Sequence, residues 1–142
     1  MMVNKNKTLH NSNVFIHAYS VAREQLGLPS KPVLNNYEKL IHDKPKQPEK
    51  CLTSRIGVVD NHFRNHFLEL DNLFWQGINT IAANNQEATF FRQRVFILKR
   101  FYGLNAFQMS KQVGKWGKII GQETEMAQHA FCQSLGILKR DG

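Results

Sequence analysis

The feature that most constrains the fold is an apolar stripe in RIGVVDNHFRNHFLELDNLFWQGINTIAANN, residues 55–85. Large apolar residues recur there every three or four positions, at Ile56, Val59, Phe63, Phe67, Leu70, Phe74, Ile78 and Ile81. This spacing places them on one face of an α-helix. It predicts a helix of about 25 residues from near Val58 to Ala83, roughly 37 Å long at 1.5 Å per residue. Gly77 lies inside this helix and has two possible roles. It is a weak point that lowers helix stability by about 1 kcal/mol relative to alanine, or it is a close-packing site.

So many phenylalanines on one stripe require a substantial partner surface. The other helices of the chain can supply that surface, or a second copy of the same helix can do so. The second alternative predicts a homodimer through Phe63, Phe67, Leu70 and Phe74.

The remaining segments are also helical in their spacing. One helix is expected over residues 12–27, with Ser12 or Asn13 as N-cap and Gly27 at its end. A partial apolar stripe on it consists of Val14, Ala18, Val21 and Gln25/Ala22. A short helix is expected from about Pro32 to Ile41. DKPKQPEK, residues 43–50, has two prolines, five charges and no apolar residue, and is typical of an exposed linker.

Three more helices are expected in the C-terminal half. The first covers residues 87–103, with Arg92, Lys99 and Arg100 facing outwards, and the second begins at the cap Asn105 and ends at Gly114. The last is expected in QETEMAQHAFCQSLGILKR, residues 122–140, with Met126/Ala127 and Ala130/Phe131 facing inwards.

No alternating strand pattern of useful length occurs, so the fold class is predicted to be all-α. We expect a small bundle of five or six helices with one long central helix and a C-terminal helix-turn-helix-like unit. Residues 1–50 form an N-terminal helical arm and linker, residues 51–142 form the helical core, and both belong to one domain.

The positive charge is concentrated near the C-terminus. The net charge is +8, and residues 92–142 hold nine basic side chains against three acidic ones, which is +6 of that total. A concentrated basic surface favours polyanionic partners such as DNA, RNA or an acidic protein. A solvated basic face without a partner is the alternative.

A short helix, a glycine-containing turn and a further helix are the sequence outline of a helix-turn-helix. RQRVFILKRFYGLNAFQMSKQVG, residues 92–114, resembles the start of the region 4 DNA-binding motif of sigma factors. The tail MAQHAFCQSLGIL, residues 126–138, is loosely similar to phage late-gene antiterminators of the Q type. The resemblance implies a DNA-binding unit in the last third of the chain.

The chain departs from that motif after the turn glycine, where it has Lys115 and then Gly117 and Gly121. Glycine is unfavourable inside a helix, so the last helix is expected to begin near Gln122, or the turn is longer than in the family. A start near Gln122 would place Glu123 and Glu125 beside the phosphates.

The candidate nucleic-acid contacts follow from charge and position. The side chains expected to contact phosphate are Arg92, Arg94, Lys99, Arg100, Lys111, Lys115 and Lys118. Gln112 and Gln122 are candidates for base edges, and Trp116 either stacks on a base or fills the turn.

Catalytic and metal chemistry have little support in the sequence. His62 and His66 have the spacing of a helical metal pair, but no HExxH motif accompanies them. Cys132 follows Phe131 on an apolar stripe and is expected to be a buried thiol. We therefore predict a non-enzyme with no cofactor and no metal.

The two cysteines lie far apart, which is typical of a reducing compartment. The first residues lack the apolar segment of a secretory signal, and mean hydropathy is −0.44, so a cytoplasmic protein without a membrane segment is expected. The predicted function is binding of nucleic acid, foremost DNA, in transcription regulation or an accessory role. The alternative is a non-catalytic adaptor or inhibitor of phage or mobile-element type, whose basic face docks on an acidic protein.

Overall fold

The computed structural model describes residues 5–35, 39–43, 54–115 and 117–136. Within these ranges the chain forms five helices and one two-stranded hairpin, which confirms the all-α class. The elements are α1 (Lys5–Gln25), β1 (Leu34–Asn35), β2 (Lys39–Leu40), α2 (Ser54–Thr80), α3 (Gln86–Arg100), α4 (Ala106–Val113) and α5 (Gly117–Ser134). Among the described helices, none has both the length and the apolar character of a membrane span.

The long helix predicted from the apolar stripe is α2, and its length is confirmed. Phe67, Phe74, Ile78 and Ile81 are buried within the chain. Tyr19 of α1 stacks on Phe74 with 4.6 Å between ring centroids, and Phe131 of α5 packs edge-on against Phe74 at 6.2 Å. The partner surface of the stripe is therefore supplied by α1 and α5.

Two of the four residues of the expected homodimer interface are buried within the chain itself. Phe67 and Phe74 are each 1% exposed, so they are not available on the surface of the folded chain. Leu70 packs partly buried against the same core, and Phe63 lies in a cleft beside α1. The homodimer itself stays a prediction.

Gly77 is a close-packing site, the second of the two roles that its position allowed. An added Cβ would lie 2.5 Å from Cδ2 of Phe131, which is closer than side-chain atoms can approach. The missing side chain lets the ring of α5 lie directly on the backbone of α2.

The inner face of α1 differs from the predicted one. Ala22 is buried as predicted, but Thr8, Ser12 and Tyr19 are buried too, whereas Val14 is 57% exposed. Helix α1 also begins at Lys5, so Ser12 is an interior residue and not an N-cap. The aromatic ring of Tyr19 fills core space that the smaller side chain of Val14 would leave empty. Tertiary packing, and not the apolar pattern, therefore decides which face of α1 is buried.

The short helix expected from Pro32 to Ile41 is wrong. Leu34 pairs with Leu40 and Asn35 with Lys39 in an antiparallel hairpin. The two leucines are six positions apart in the chain, and the hairpin brings them directly opposite each other as a cross-strand pair. The expected linker at residues 43–50 lies outside the described residues except for Asp43.

A buried arginine fastens this hairpin segment to α1. Arg23 is 1% exposed, and its guanidinium donates two hydrogen bonds to the carboxylate of Asp43, at 3.0 and 2.5 Å. It also donates to the carbonyl oxygen of Pro29 at 2.7 Å. On the other side, Tyr19 donates to the carboxylate of Asp71 on α2 at 2.6 Å. The N-terminal arm therefore shares one core with the rest of the described chain.

Candidate nucleic-acid interface

Helix α4 begins and ends at the predicted residues. The Asn105 side chain accepts a hydrogen bond from the Gln108 backbone N–H at 2.8 Å, and the Gln108 side chain accepts from the Asn105 N–H at 2.9 Å. This reciprocal capping box satisfies two N–H groups at the helix start. The helix ends at Gly114, whose φ of 72° lies in the left-handed region that glycine adopts readily.

Helix α5 begins at Gly117, five residues before the expected start near Gln122. The connection from α4 spans residues 114–116, so the turn is short. Ile120, Thr124, Ala127 and Phe131 are all buried, in steps of four, three and four residues. Burial of Ile120 in the first turn offsets the unfavourable helix propensity of Gly117.

The earlier start changes the position of the two carboxylates. Glu123 and Glu125 lie in the second and third turns of α5 and not at its N-terminus. Lys118 and Gln122 precede them on exposed positions. The first turn of α5 therefore carries a cation and no carboxylate.

Three lysines surround the turn with exposed side chains. Lys111 lies in the last turn of α4, Lys115 in the connection, and Lys118 in the first turn of α5. The Lys111 ammonium lies 4.5 Å from the ring centroid of the exposed Phe107. An open hollow of about 280 Å³ at the turn is lined by Ser110, Gly114, Lys115 and Gly117.

The arginines of α3 occupy structural positions. Arg92, expected to face outwards, is half-buried and donates to Glu123 on α5 from Nε at 2.6 Å. It also donates to the carbonyl oxygen of Ala82 at 2.7 Å. Arg94 donates to the carbonyl oxygen of Gln112 at 3.1 Å. These contacts join α3 to α4 and α5, and they engage guanidinium groups that were expected to bind phosphate.

Arg100 and Lys99 are also less accessible than expected. Both are half-buried, and burial lowers the pKa of Arg100. Nε of Arg100 is buried and has no hydrogen-bond partner among the described residues. Gln112 and Gln122 are exposed as the base-edge hypothesis requires, and Trp116 lies outside the described residues.

The sequence did not predict the exposed apolar residues of α4 and α5. Phe107 is 67% exposed, Met126, expected to face inwards, is 49% exposed, and Ile119 is 41% exposed. Their orientation follows from the stripe at residues 120, 124, 127 and 131. The spacing of the inward residues of the last helix can be extended towards its N-terminus, through Thr124 to Ile120. This extension would have revealed the orientation of the exposed residues, but Gly117 and Gly121 obscured the helix start.

The other candidate chemistries gain no support from the geometry. His17, His62 and His66 line an open cleft of about 400 Å³ between α1 and α2. In the part of the chain that the structure describes, no group of three or more His, Cys, Asp or Glu side chains is placed to hold a metal. Cys132 is buried as predicted, and burial raises the pKa of its thiol to about 11, although the positive charge of Arg100 opposes this shift. A nucleophilic thiol requires a shift in the opposite direction.

Comparison with known proteins adds no relative. No family model, no curated protein and no solved structure matches this chain. The resemblance to sigma-factor region 4 therefore stays a prediction, and the functional argument rests on the local geometry of α4, the turn and α5.

Proposed function

We propose that this protein binds duplex DNA through α4, the turn and α5, as a helix-turn-helix unit with a transcription-regulatory or accessory role. The observation that carries the proposal is the start of α5 at Gly117, directly after a short turn. In a helix-turn-helix the second helix lies in the major groove and the first crosses the backbone. Helices α4 and α5 follow each other in the order of such a unit, with residues 114–116 between them.

The charge around the turn supports the proposal. Lys111, Lys115 and Lys118 are exposed and come from three consecutive parts of the unit. Each lysine that neutralises a phosphate releases a condensed counterion, which makes binding favourable and salt-dependent. The carboxylate of Glu123 is paired with Arg92, so it opposes the phosphates less than an unpaired carboxylate would.

The contacts of α3 support a fixed orientation of the two helices. The Arg92–Glu123 ion pair holds α5 against α3, and Arg94 holds the last turn of α4. Met109 of α4 and Ile120 of α5 both belong to the buried core. A unit held in this way does not need to be ordered on binding, and preorganisation lowers the free-energy cost of association.

An acidic protein is the second candidate partner. The exposed apolar side chains of Phe107, Ile119 and Met126 lie on the same two helices as Lys111 and Lys118. Such a mixture of apolar and basic side chains also suits a protein interface. On this alternative the protein is an adaptor or inhibitor and has no affinity for generic DNA.

The test is fluorescence anisotropy with a generic duplex at several salt concentrations, starting at about 50 mM, where the electrostatic attraction is strong. We expect a steep salt slope for the wild-type protein. The Lys115→Ala/Lys118→Ala variant is expected to lower that slope by about 2, since each phosphate contact contributes about 0.9.

The matched control is Lys7→Ala/Lys31→Ala, which removes the same charge from exposed positions outside α4 and α5. We expect it to change the slope by much less. Equal effects of the two variants would indicate a diffuse attraction without this interface. Absence of duplex binding at about 50 mM salt would overturn the proposal. Binding of single-stranded RNA alone would show that the ligand of this interface is RNA.

A further inference from the structure

We propose that Ile119 and Gln122 determine sequence specificity by reading adjacent A·T base pairs in the major groove, Ile119 at a thymine methyl group and Gln122 at adenine. This inference rests on the proposed function, since it assumes that α5 enters the groove. It adds the base composition of the site, and it assigns a role to the exposed isoleucine.

The positions of the two residues on α5 support this assignment. They are three residues apart, so they lie on the same side of the helix, separated by about 4.5 Å along its axis. That rise is close to the roughly 3.4 Å between successive bases on one strand. Both are exposed and both lie in the first two turns of α5. The N-terminal residues of a recognition helix are those that contact base edges.

Ile119 is the apolar member of this surface. It is 41% exposed, whereas the next residue, Ile120, is 2% exposed and packs in the core. In the major groove the C5 methyl group of thymine is the apolar feature of a base edge, and apolar side chains contact it. A thymine methyl is therefore the group that an isoleucine at this position recognises.

Gln122 supplies the polar contact next to it. A glutamine side chain can bond adenine in two places, since its carbonyl accepts from N6 and its amide donates to N7. Lys118 lies beside Ile119 on an exposed position and is suited to the flanking phosphate. Glu125, whose carboxylate would suit cytosine, lies about 12 Å along the axis from the helix start.

The experiment selects binding sites from a library of random duplexes with the full-length protein, followed by affinity measurements on the enriched sequence. We expect enrichment of adjacent A·T pairs. Replacement of each thymidine there by deoxyuridine removes only the methyl group. At one position it should weaken wild-type binding by about 3- to 5-fold, which corresponds to loss of one buried methyl contact.

Two variants and a control assign the contacts. Ile119→Ala should weaken binding to the thymidine duplex. The variant should bind the thymidine duplex and the deoxyuridine duplex with equal affinity, because the methyl group no longer has its partner. Gln122→Ala should lower discrimination between A·T and G·C at the neighbouring pair by at least about fivefold. Leu68→Ala removes a similarly exposed aliphatic side chain from α2 and should leave all these affinities unchanged.

The outcomes separate this inference from the proposed function. Three results would overturn the base-reading assignment and leave DNA binding intact. They are salt-dependent duplex binding without an enriched sequence, enrichment of G·C pairs, and binding that does not depend on the thymine methyl group. Equal loss on deoxyuridine in the wild type and Ile119→Ala assigns the methyl contact to another residue. Absence of duplex binding overturns both proposals.

Discussion

Gly77 of α2 and Gly121 of α5 both lie inside a helix, and their surroundings differ. Gly77 faces the ring of Phe131, and a Cβ there would meet it at 2.5 Å. At Gly121 a Cβ would have no neighbour within 4 Å. Neither position has the positive φ that favours glycine. The two residues therefore separate the effect of packing from the effect of helix propensity.

We predict opposite changes in stability for Gly77→Ala and Gly121→Ala. At Gly77 the methyl group must displace a core ring, and such overpacking lowers the free energy of unfolding by about 1 to 3 kcal/mol. At Gly121 the methyl group meets solvent and reduces the conformational freedom of the unfolded chain. This substitution should raise the free energy of unfolding by about 0.5 to 1 kcal/mol.

Urea unfolding followed by far-UV circular dichroism measures both changes. The two variants control each other, because each adds one methyl group to a glycine inside a helix. A stabilising or neutral effect of Gly77→Ala would contradict the contact with Phe131. The presence of DNA is not needed, so this test is independent of the functional proposal.

At the scale of the elements, periodicity predicted the helices that carry long apolar stripes. Helix α2 followed from its phenylalanines, and α4 followed from Asn105 and Gly114, because local hydrogen bonds and glycine geometry determine where such a helix begins and ends. The start of α5 did not follow, since Gly117 and Gly121 oppose a helix that tertiary packing of Ile120 stabilises.

The hairpin and the structural arginines could not be read from the sequence for a related reason. Leu34 and Leu40 allow a helix or two short strands, and long-range packing decides between them. A basic residue on α3 looks the same in sequence whether it faces solvent or, as Arg92 does, a carboxylate 31 positions away. The candidate site was therefore found through its lysines, and its exposed isoleucine was missed.

The contact between α1 and the hairpin segment leads to a second prediction. Arg23 is buried with its charge paired to Asp43, whose side chain is 21% exposed. Removal of one partner of a buried ion pair leaves the other without compensation. We expect Arg23→Met to lower the free energy of unfolding by about 3 kcal/mol, measured by urea unfolding.

The control for this prediction is the double variant Arg23→Met/Asp43→Asn. Because the asparagine carries no charge, the double variant should recover part of the loss, and a double-mutant cycle gives the coupling. A loss below about 1 kcal/mol in Arg23→Met, the value typical of exposed ion pairs, would show that the pair is solvated.

At the scale of the whole molecule, one aromatic core joins elements that are distant in sequence. Tyr19 of α1, Phe74 of α2, Phe101 after α3 and Phe131 of α5 pack against one another, with 4.6 to 6.2 Å between the ring centroids of the contacting pairs. Tyr19 and Cys132 are titratable groups that are buried at this core. Burial and the hydrogen bond to Asp71 raise the pKa of Tyr19 above its ordinary range, and burial raises the pKa of Cys132 to about 11. The free energy of unfolding should therefore decrease as the pH rises in the alkaline range.

Since the pKa of Cys132 is higher in the folded than in the unfolded chain, its contribution is fully present below the unfolded pKa of about 9. Between pH 9 and 11 the unfolded chain loses this proton while the folded chain keeps it. We expect the free energy of unfolding to fall by about 2 to 3 kcal/mol over this window from Cys132 alone. Other groups titrate there too, so the measurement is the difference between wild-type and Cys132→Ala urea-unfolding profiles. The profiles should converge as pH rises from 9 to 11, and parallel profiles would contradict burial of the thiol in the core.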